Sequence, residues 1–138
     1  MKKYNYIASA KRTLKIESES IQLISNQLDS SFVKLCDKVL NCDGKFVIMG
    51  VGKSGHIAQK ISATLSSVGI PSFFCHPSEA LHGDMGQIEK KDILIIFSYS
   101  GNTAELSNML KYANRYRIKI IGVASKADSS LIKASDIK

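Results

Sequence analysis

No stretch of this 138-residue chain approaches the ~20 consecutive apolar residues that a membrane-spanning helix needs. The basic amino terminus, MKKYNYIASAKRTL, has no apolar run behind it and so does not read as a secretory signal. Only two prolines are present, no internal repeat or low-complexity tract is visible, and 44% of the residues are hydrophobic. That balance argues against disorder and against a fibrous protein. Cys36, Cys42 and Cys75 form no CxxC pair and are odd in number, which predicts ordinary reduced thiols in a cytoplasmic protein. The length predicts one domain or a piece of one, large enough to bury a substantial core.

A net charge of +7 raises the question of a nucleic-acid partner, and its distribution argues against one. Residues 1–15 contribute +5 and residues 111–138 another +5, while the 95 residues between them sum to −3. The positive charge therefore belongs to the two ends. It forms no stripe with interleaved aromatics, as a nucleic-acid groove would.

The apolar pattern divides the chain at about Gly44. Before it, Ile7, Leu14, Ile21 and Leu28 recur every seven residues with Ala10 and Ile24 between, predicting a long amphipathic helix. Such a helix packs on a partner helix or on its own domain, and four positions leave both open. Phe32, Leu35, Cys36, Val39 and Leu40 predict a second helix that ends at the turn-forming Asn41-Cys42-Asp43-Gly44. Residues 1–44 are thus expected to form a helical arm, and 45–138 an α/β domain.

After Gly44 come four short continuous apolar runs: Phe46–Met49, Pro71–Phe74, Ile93–Phe97 and Ile118–Ala124. Such runs suit strands buried on both faces, as in a parallel sheet. Helical patterns lie between them, at Ile57, Ile61, Leu65 and Val68, and at Leu106, Met109, Leu110 and Ala113. The alternation predicts an α/β, three-layer, doubly wound parallel sheet of flavodoxin-like strand order. In such sheets ligands bind beyond the carboxyl ends of the strands.

Three loops at that end carry the chemistry. The first is Gly50-Val-Gly52-Lys53-Ser54-Gly55, running into a helix. Its glycines permit close approach to a ligand, and a helix start offers N–H groups to an anion. A dinucleotide reading lacks the acid expected near Phe73–His76, and a P-loop reading would need glycine where Val47 stands. A phosphate turn and a structural tight turn both remain open on spacing alone. The second loop, Ser98-Tyr99-Ser100-Gly101-Asn102-Thr103, crowds hydroxyl and amide groups around another helix start, which suits a phosphate monoester. Asn102 and Glu105 also have capping-box spacing, with Asn102 as N-cap. The third loop, Cys75 to Asp84, places His76 and His82 where either could titrate near neutrality or face the same crevice. His56, inside the first helix, reads as a surface or packing residue.

Residues 50–86, GVGKSGHIAQKISATLSSVGIPSFFCHPSEALHGDMG, and 98–106, SYSGNTAEL, resemble the sugar isomerase (SIS) domain, and within it the arabinose 5-phosphate isomerases of lipopolysaccharide (Kdo) synthesis. The resemblance runs from about Asn26 onward. It implies homo-oligomers, dimers or tetramers, that bind a small phosphorylated sugar and interconvert D-arabinose 5-phosphate and D-ribulose 5-phosphate through an enediolate. It implies catalytic roles for Lys53 and Glu105. It implies substrate contacts at Ser54, Gly69, Ile70, His82, Ser98, Ser100, Asn102 and Thr103. His76 matches a histidine that takes an inhibitory zinc in some relatives, and no cofactor is required. Tyr99 and Asn102 depart from the residues usual at their positions. The family continues with a fifth strand and with segments bearing a further glutamate and a histidine, and many members add a tandem cystathionine-beta-synthase-type pair. On this resemblance the chain is cut before its last strand. The same domain also serves regulators as a non-catalytic sugar-phosphate sensor, and other members isomerise other sugar phosphates.

Overall fold

The structure is a computed structural model that describes residues 4–138; Lys2 and Lys3 of the basic amino-terminal segment lie outside the described residues. It contains two compact units, divided between Val33 and Lys34. The division falls earlier than the composition change at Gly44 because Leu35, Val39 and Cys42 pack against the core of the α/β unit.

The first unit holds helix α1, Tyr6–Gln27, whose amino end is capped by Asn5 through a 3.0 Å bond from the Ala8 N–H to Oδ1. Helix α2, Ser30–Leu40, begins in this unit and ends in the next.

The second unit is a four-stranded parallel sheet with strands β1 (Phe46–Gly50), β2 (Ser72–Phe74), β3 (Ile93–Phe97) and β4 (Lys119–Val123), in the order β2-β1-β3-β4. This is the doubly wound order predicted. Helix α3, Lys53–Ser67, follows β1; the one-turn helix α4, Pro77–Ala80, follows β2; α5, Ala104–Tyr116, follows β3; and α6, Ser130–Ala134, follows β4. The segment from Cys75 to Asp84 is thus partly helical, where the sequence reads as a loop. Beyond β4 a single parallel bridge joins Ile137 to Ile121, so the sheet carries one rung of a fifth position at that edge.

Alternate residues of each strand face opposite sides of the sheet, which gives two core layers. Val47, Met49, Leu94, Ile96 and Ile120 pack with Leu106, Met109, Leu110 and Ala113 of α5. Phe46, Ile48, Ile93 and Ile121 form the other layer with Ala58 of α3. Every residue of β1 is buried, which is why its run is apolar without alternation. Each such side chain adds ~1.5–3 kcal/mol of transfer free energy. On the α3 side the covering is incomplete. Leu35 and Val39 of α2 and Ile95, Phe97 and Val123 of the sheet line an apolar cleft of about 520 Å³.

The amino end of the sheet is held by ion pairs. Asp92, 1% exposed, accepts from the Lys45 ammonium at 2.7 Å, the Lys45 N–H at 2.9 Å and the Glu89 N–H at 2.7 Å. Burial alone would raise this carboxyl, but the Glu89 N–H and the Lys45 ammonium and N–H outweigh it and hold the group below its ordinary range. The same contact raises Lys45. Nearer the edge, Asp136 accepts from Lys119 at 2.8 Å and from the Ile120 N–H at 2.9 Å.

Candidate functional site

The carboxyl end is built from the turns that leave β1 and β3, and the last residues of these two strands, Gly50 and Phe97, are register partners. The turns therefore lie side by side. In the first, Gly50 and Gly55 serve contact between strand and helix. A Cβ on Gly50 would stand 2.7 Å from the Ser54 carbonyl oxygen, and one on Gly55 would stand 2.8 Å from that of Gly50. Gly52 is different: its φ is +58° and nothing lies within 4 Å of the place a Cβ would occupy. The close-packing role of the motif thus belongs to Gly50 and Gly55, and an open approach to Gly52. Lys53 opens α3 exposed to solvent, and Ser54 is half-buried behind it.

The second turn is internally hydrogen-bonded. The buried Ser98 Oγ accepts from the Gly101 N–H at 3.0 Å and lies 2.9 Å from Thr103 Oγ1. Ser100 Oγ accepts from the Asn102 N–H at 3.2 Å. Asn102 is not the N-cap. Thr103 keeps extended dihedrals, so α5 starts one residue later than the capping-box spacing predicts, with Glu105 at its second position. Asn102 Oδ1 instead accepts from the Ser130 N–H at 2.8 Å and ties the turn to α6.

The consequence is electrostatic. Side chains cap α1, α4 and α6, from Asn5, His76 and Ser129. No side chain caps α3 or α5, whose N-terminal N–H groups thus lack a side-chain acceptor. Two helices of 15 and 13 residues present their positive ends on adjacent strands, where an anion is favoured. Among the described residues, no ion pair or side-chain hydrogen bond engages Lys53, Glu105 or His82.

The third loop contributes differently. The His76 Nδ1 accepts from the Ser78 N–H at 3.2 Å to cap α4, leaving Nε2 as its remaining nitrogen. No group of three or more His, Cys, Asp or Glu side chains among the described residues is placed to hold a metal ion. Burial pushes the neighbouring Cys75 thiol up to about 11, with Asp84 and Glu79 adding to the rise. His82 is exposed beyond α4.

Gly69 and Ile70 are not brought to this end. Pro71 accepts from the N–H of Phe46, the first residue of β1, so the turn before β2 sits at the amino end of the parallel sheet. Ile70 packs into the core. Within one chain these two positions lie across the sheet from Lys53 and the serine turn.

Serine residues after β4 complete the second turn and were not anticipated. Ser125 donates its N–H, at 3.1 Å, and its Oγ, at 2.6 Å, to the Tyr99 carbonyl. Ser129 caps α6 and presses on Gly101, whose φ is +65°. The signal available for Ser129 was its place before the apolar Leu131-Ile132 pair, an N-cap pattern.

A family model described as the SIS domain matches residues 39–138. The chain belongs to the SIS-domain family. As an SIS-domain chain it is 42% identical over 133 residues to the arabinose 5-phosphate isomerase KdsD of Pseudomonas aeruginosa, covering 96% of itself and 41% of that protein. It is likewise 42% identical over 131 residues to the arabinose 5-phosphate isomerase KpsF of Escherichia coli O6:H1, covering 94% of itself and 40% of the relative. The SIS-domain chain thus spans about two fifths of these curated relatives. A solved structure from E. coli CFT073, in complex with arabinose 5-phosphate, superposes with a TM-score of 0.90 at 36% identity, covering 97% of this chain and 73% of that one.

Proposed function

We propose that this SIS domain binds arabinose 5-phosphate at the carboxyl ends of β1 and β3 and interconverts it with ribulose 5-phosphate, as a step toward Kdo and lipopolysaccharide. The observation that carries the reading is the pair of neighbouring helix starts without side-chain caps, one beside Lys53 and Ser54 and the other beside Ser98, Ser100 and Thr103. The phosphate is assigned to the serine turn and the α5 N-terminus, which supply hydroxyl and N–H donors. Lys53 offsets the negative charge that develops on the substrate oxygen as the C2 proton leaves. Glu105 supports the site from the first turn of α5. The proton moves from C2 to C1 through the enediolate by acid–base groups alone, which requires no cofactor. His82 and Asn102 are placed as substrate contacts in this reading. Gly69 and Ile70 would contact substrate only from another subunit.

A second reading is that of a sugar-phosphate-binding module without turnover, because two helix starts that no side chain caps account for holding a phosphate without requiring any proton transfer. A single assay separates the two. The protein is incubated with arabinose 5-phosphate while ribulose 5-phosphate is measured, and binding of the sugar is followed in parallel by calorimetry. Turnover supports the isomerase. Saturable binding without turnover leaves the module, and neither binding nor turnover sinks both.

A further inference from the structure

Tyr99 is the tyrosine that the fold leaves alone. Tyr4 and Tyr6 stand with ring centroids 4.9 Å apart, Tyr112 and Tyr116 with theirs 4.6 Å apart, and the Tyr112 hydroxyl donates to the Met85 carbonyl at 3.0 Å. The ring and hydroxyl of Tyr99 have no partner among the described residues, and the residue is 81% exposed. A loose backbone does not account for this. The Tyr99 carbonyl accepts from both the N–H and the Oγ of Ser125, at 3.1 and 2.6 Å. The preceding Ser98 is buried and donates its N–H to the Val123 carbonyl at 3.0 Å. The turn is thus pinned to the end of β4 and the loop behind it while the ring stands in water. A tyrosine on a fixed backbone offers a large contact area with only two torsions left to order.

The position of the ring indicates what it meets. Tyr99 lies between Ser98 and Ser100, in the turn to which the proposed function assigns the phosphate. The other side chains of this turn, Ser98, Ser100, Asn102 and Thr103, are all polar, and Gly101 has none. Hydroxyl and N–H donors suit phosphate oxygens, which inorganic phosphate and a sugar phosphate carry alike. They offer nothing to the C–H surface of a carbon chain. Tyr99 supplies the apolar surface of the turn, and an aromatic face packs on C–H groups while its hydroxyl stays free for water. With the phosphate at the α5 start and the reacting carbons beside Lys53 in the neighbouring turn, the carbon chain between them passes along this turn.

We propose that Tyr99 is a specificity-determining residue whose ring packs on the carbon chain of the bound sugar phosphate and so separates arabinose 5-phosphate from phosphate alone. The inference rests on the proposed arabinose 5-phosphate site, and the wild-type arm of the test keeps the two apart. Calorimetry follows arabinose 5-phosphate and inorganic phosphate binding to wild type, Tyr99→Phe and Tyr99→Ala. Tyr99→Ala is expected to bind the sugar phosphate about tenfold more weakly, with its affinity for inorganic phosphate and its melting temperature unchanged. Tyr99→Phe keeps the ring and is expected to stay within about twofold of wild type. Nitration by tetranitromethane, located by mass spectrometry, reads the unaltered protein. Arabinose 5-phosphate is expected to protect Tyr99 and leave Tyr4, 62% exposed, reactive, while inorganic phosphate protects neither. Equal sugar-phosphate affinity in wild type and Tyr99→Ala overturns the proposal and leaves the site standing, as does sugar-phosphate binding that leaves Tyr99 unprotected. A parallel loss of both ligands in Tyr99→Ala overturns it by making the residue a support of the turn. A loss in Tyr99→Phe as large as in Tyr99→Ala overturns it by assigning the effect to the hydroxyl. A wild type that does not bind arabinose 5-phosphate overturns it together with the site on which it rests.

Discussion

The two ends of the sheet use charge in opposite ways. At the amino end Asp92 is buried, saturated with donors and paired with Lys45, and Asp136 is paired with Lys119. At the carboxyl end Lys53 and Glu105 stand in solvent with no partner among the described residues, next to two helix starts that no side chain caps. One end is electrostatically finished, and the other presents helix N–H donors that no side chain caps. The difference separates residues that hold the fold from residues available to a ligand, and it can be broken by exchanging the two kinds of effect.

The largest effect belongs to the carboxyl end. Replacing Lys53 with Ala should lower arabinose 5-phosphate turnover by about 10²–10³-fold, the loss typical of a removed oxyanion donor. Because the side chain is exposed and unpaired, melting temperature and urea midpoint should stay at their wild-type values. A stability loss as large as that of a core substitution would show that Lys53 is structural and would erase the contrast.

Asp92→Ala should do the reverse. It leaves two N–H groups without their acceptor and the Lys45 ammonium with only the Glu89 carboxylate, 3.6 Å away, a change that costs ~3–5 kcal/mol when a pair is fully buried and loses its whole partner. Lys45 keeps 27% of its side chain exposed and can turn to water, which places the expected loss near the bottom of that range, at about 3 kcal/mol. Ligand affinity at the other end should hold. The pair also sets a pH window. Since Asp92 is depressed in the fold, its contribution is complete above the ordinary carboxylate range and is lost as pH falls through the lower, folded value. Lys45 is raised, so its share is lost only as pH rises past the ordinary lysine range. Urea midpoints should decline on the acid side in the wild type, and less steeply in Asp92→Asn. Parallel acid limbs in the two proteins would remove Asp92 from the account.

Much of this contrast could be read from residue order, and the missing part has a common cause. Short apolar runs marked all four strands, most plainly the fully buried β1, because a strand buried on both faces admits no polar alternation. Glycine and serine turns marked the loops that matter because backbone approach and hydroxyl donors are local properties. What stayed hidden depends on contacts between distant segments. Asp92 is one acid among twelve until the fold places Lys45 against it, 47 positions earlier in the chain. Asn102 has a good capping-box spacing, and it loses that role because Thr103 remains extended and Ser130 takes its amide oxygen. Gly69 and Ile70, grouped with the site by resemblance, lie at the opposite end because a parallel crossover returns the chain there before each strand begins. Local chemistry survives translation from sequence, whereas long-range pairing has to be seen.

Cys75 gives the smallest effect and tests whether the division follows the end of the sheet or burial itself. It lies at the carboxyl end of β2, yet burial, reinforced by Asp84 and Glu79, pushes its thiol up to about 11. At pH 8 only about one molecule in a thousand then carries the thiolate, which is the species that reacts. Cys36, half-exposed on α2, is an internal standard in the same molecule. In the native protein an aromatic disulfide reagent should modify Cys75 at least a hundredfold more slowly than Cys36, and in denaturant the two rates should converge. Asp84→Asn should accelerate Cys75 only a few-fold, because the carboxylate is secondary to burial in raising the thiol. Equal native rates for Cys75 and Cys36 would mean that water reaches the β2 end as freely as it reaches Lys53. The boundary between the finished and the open parts of the molecule would then have to be redrawn below Cys75.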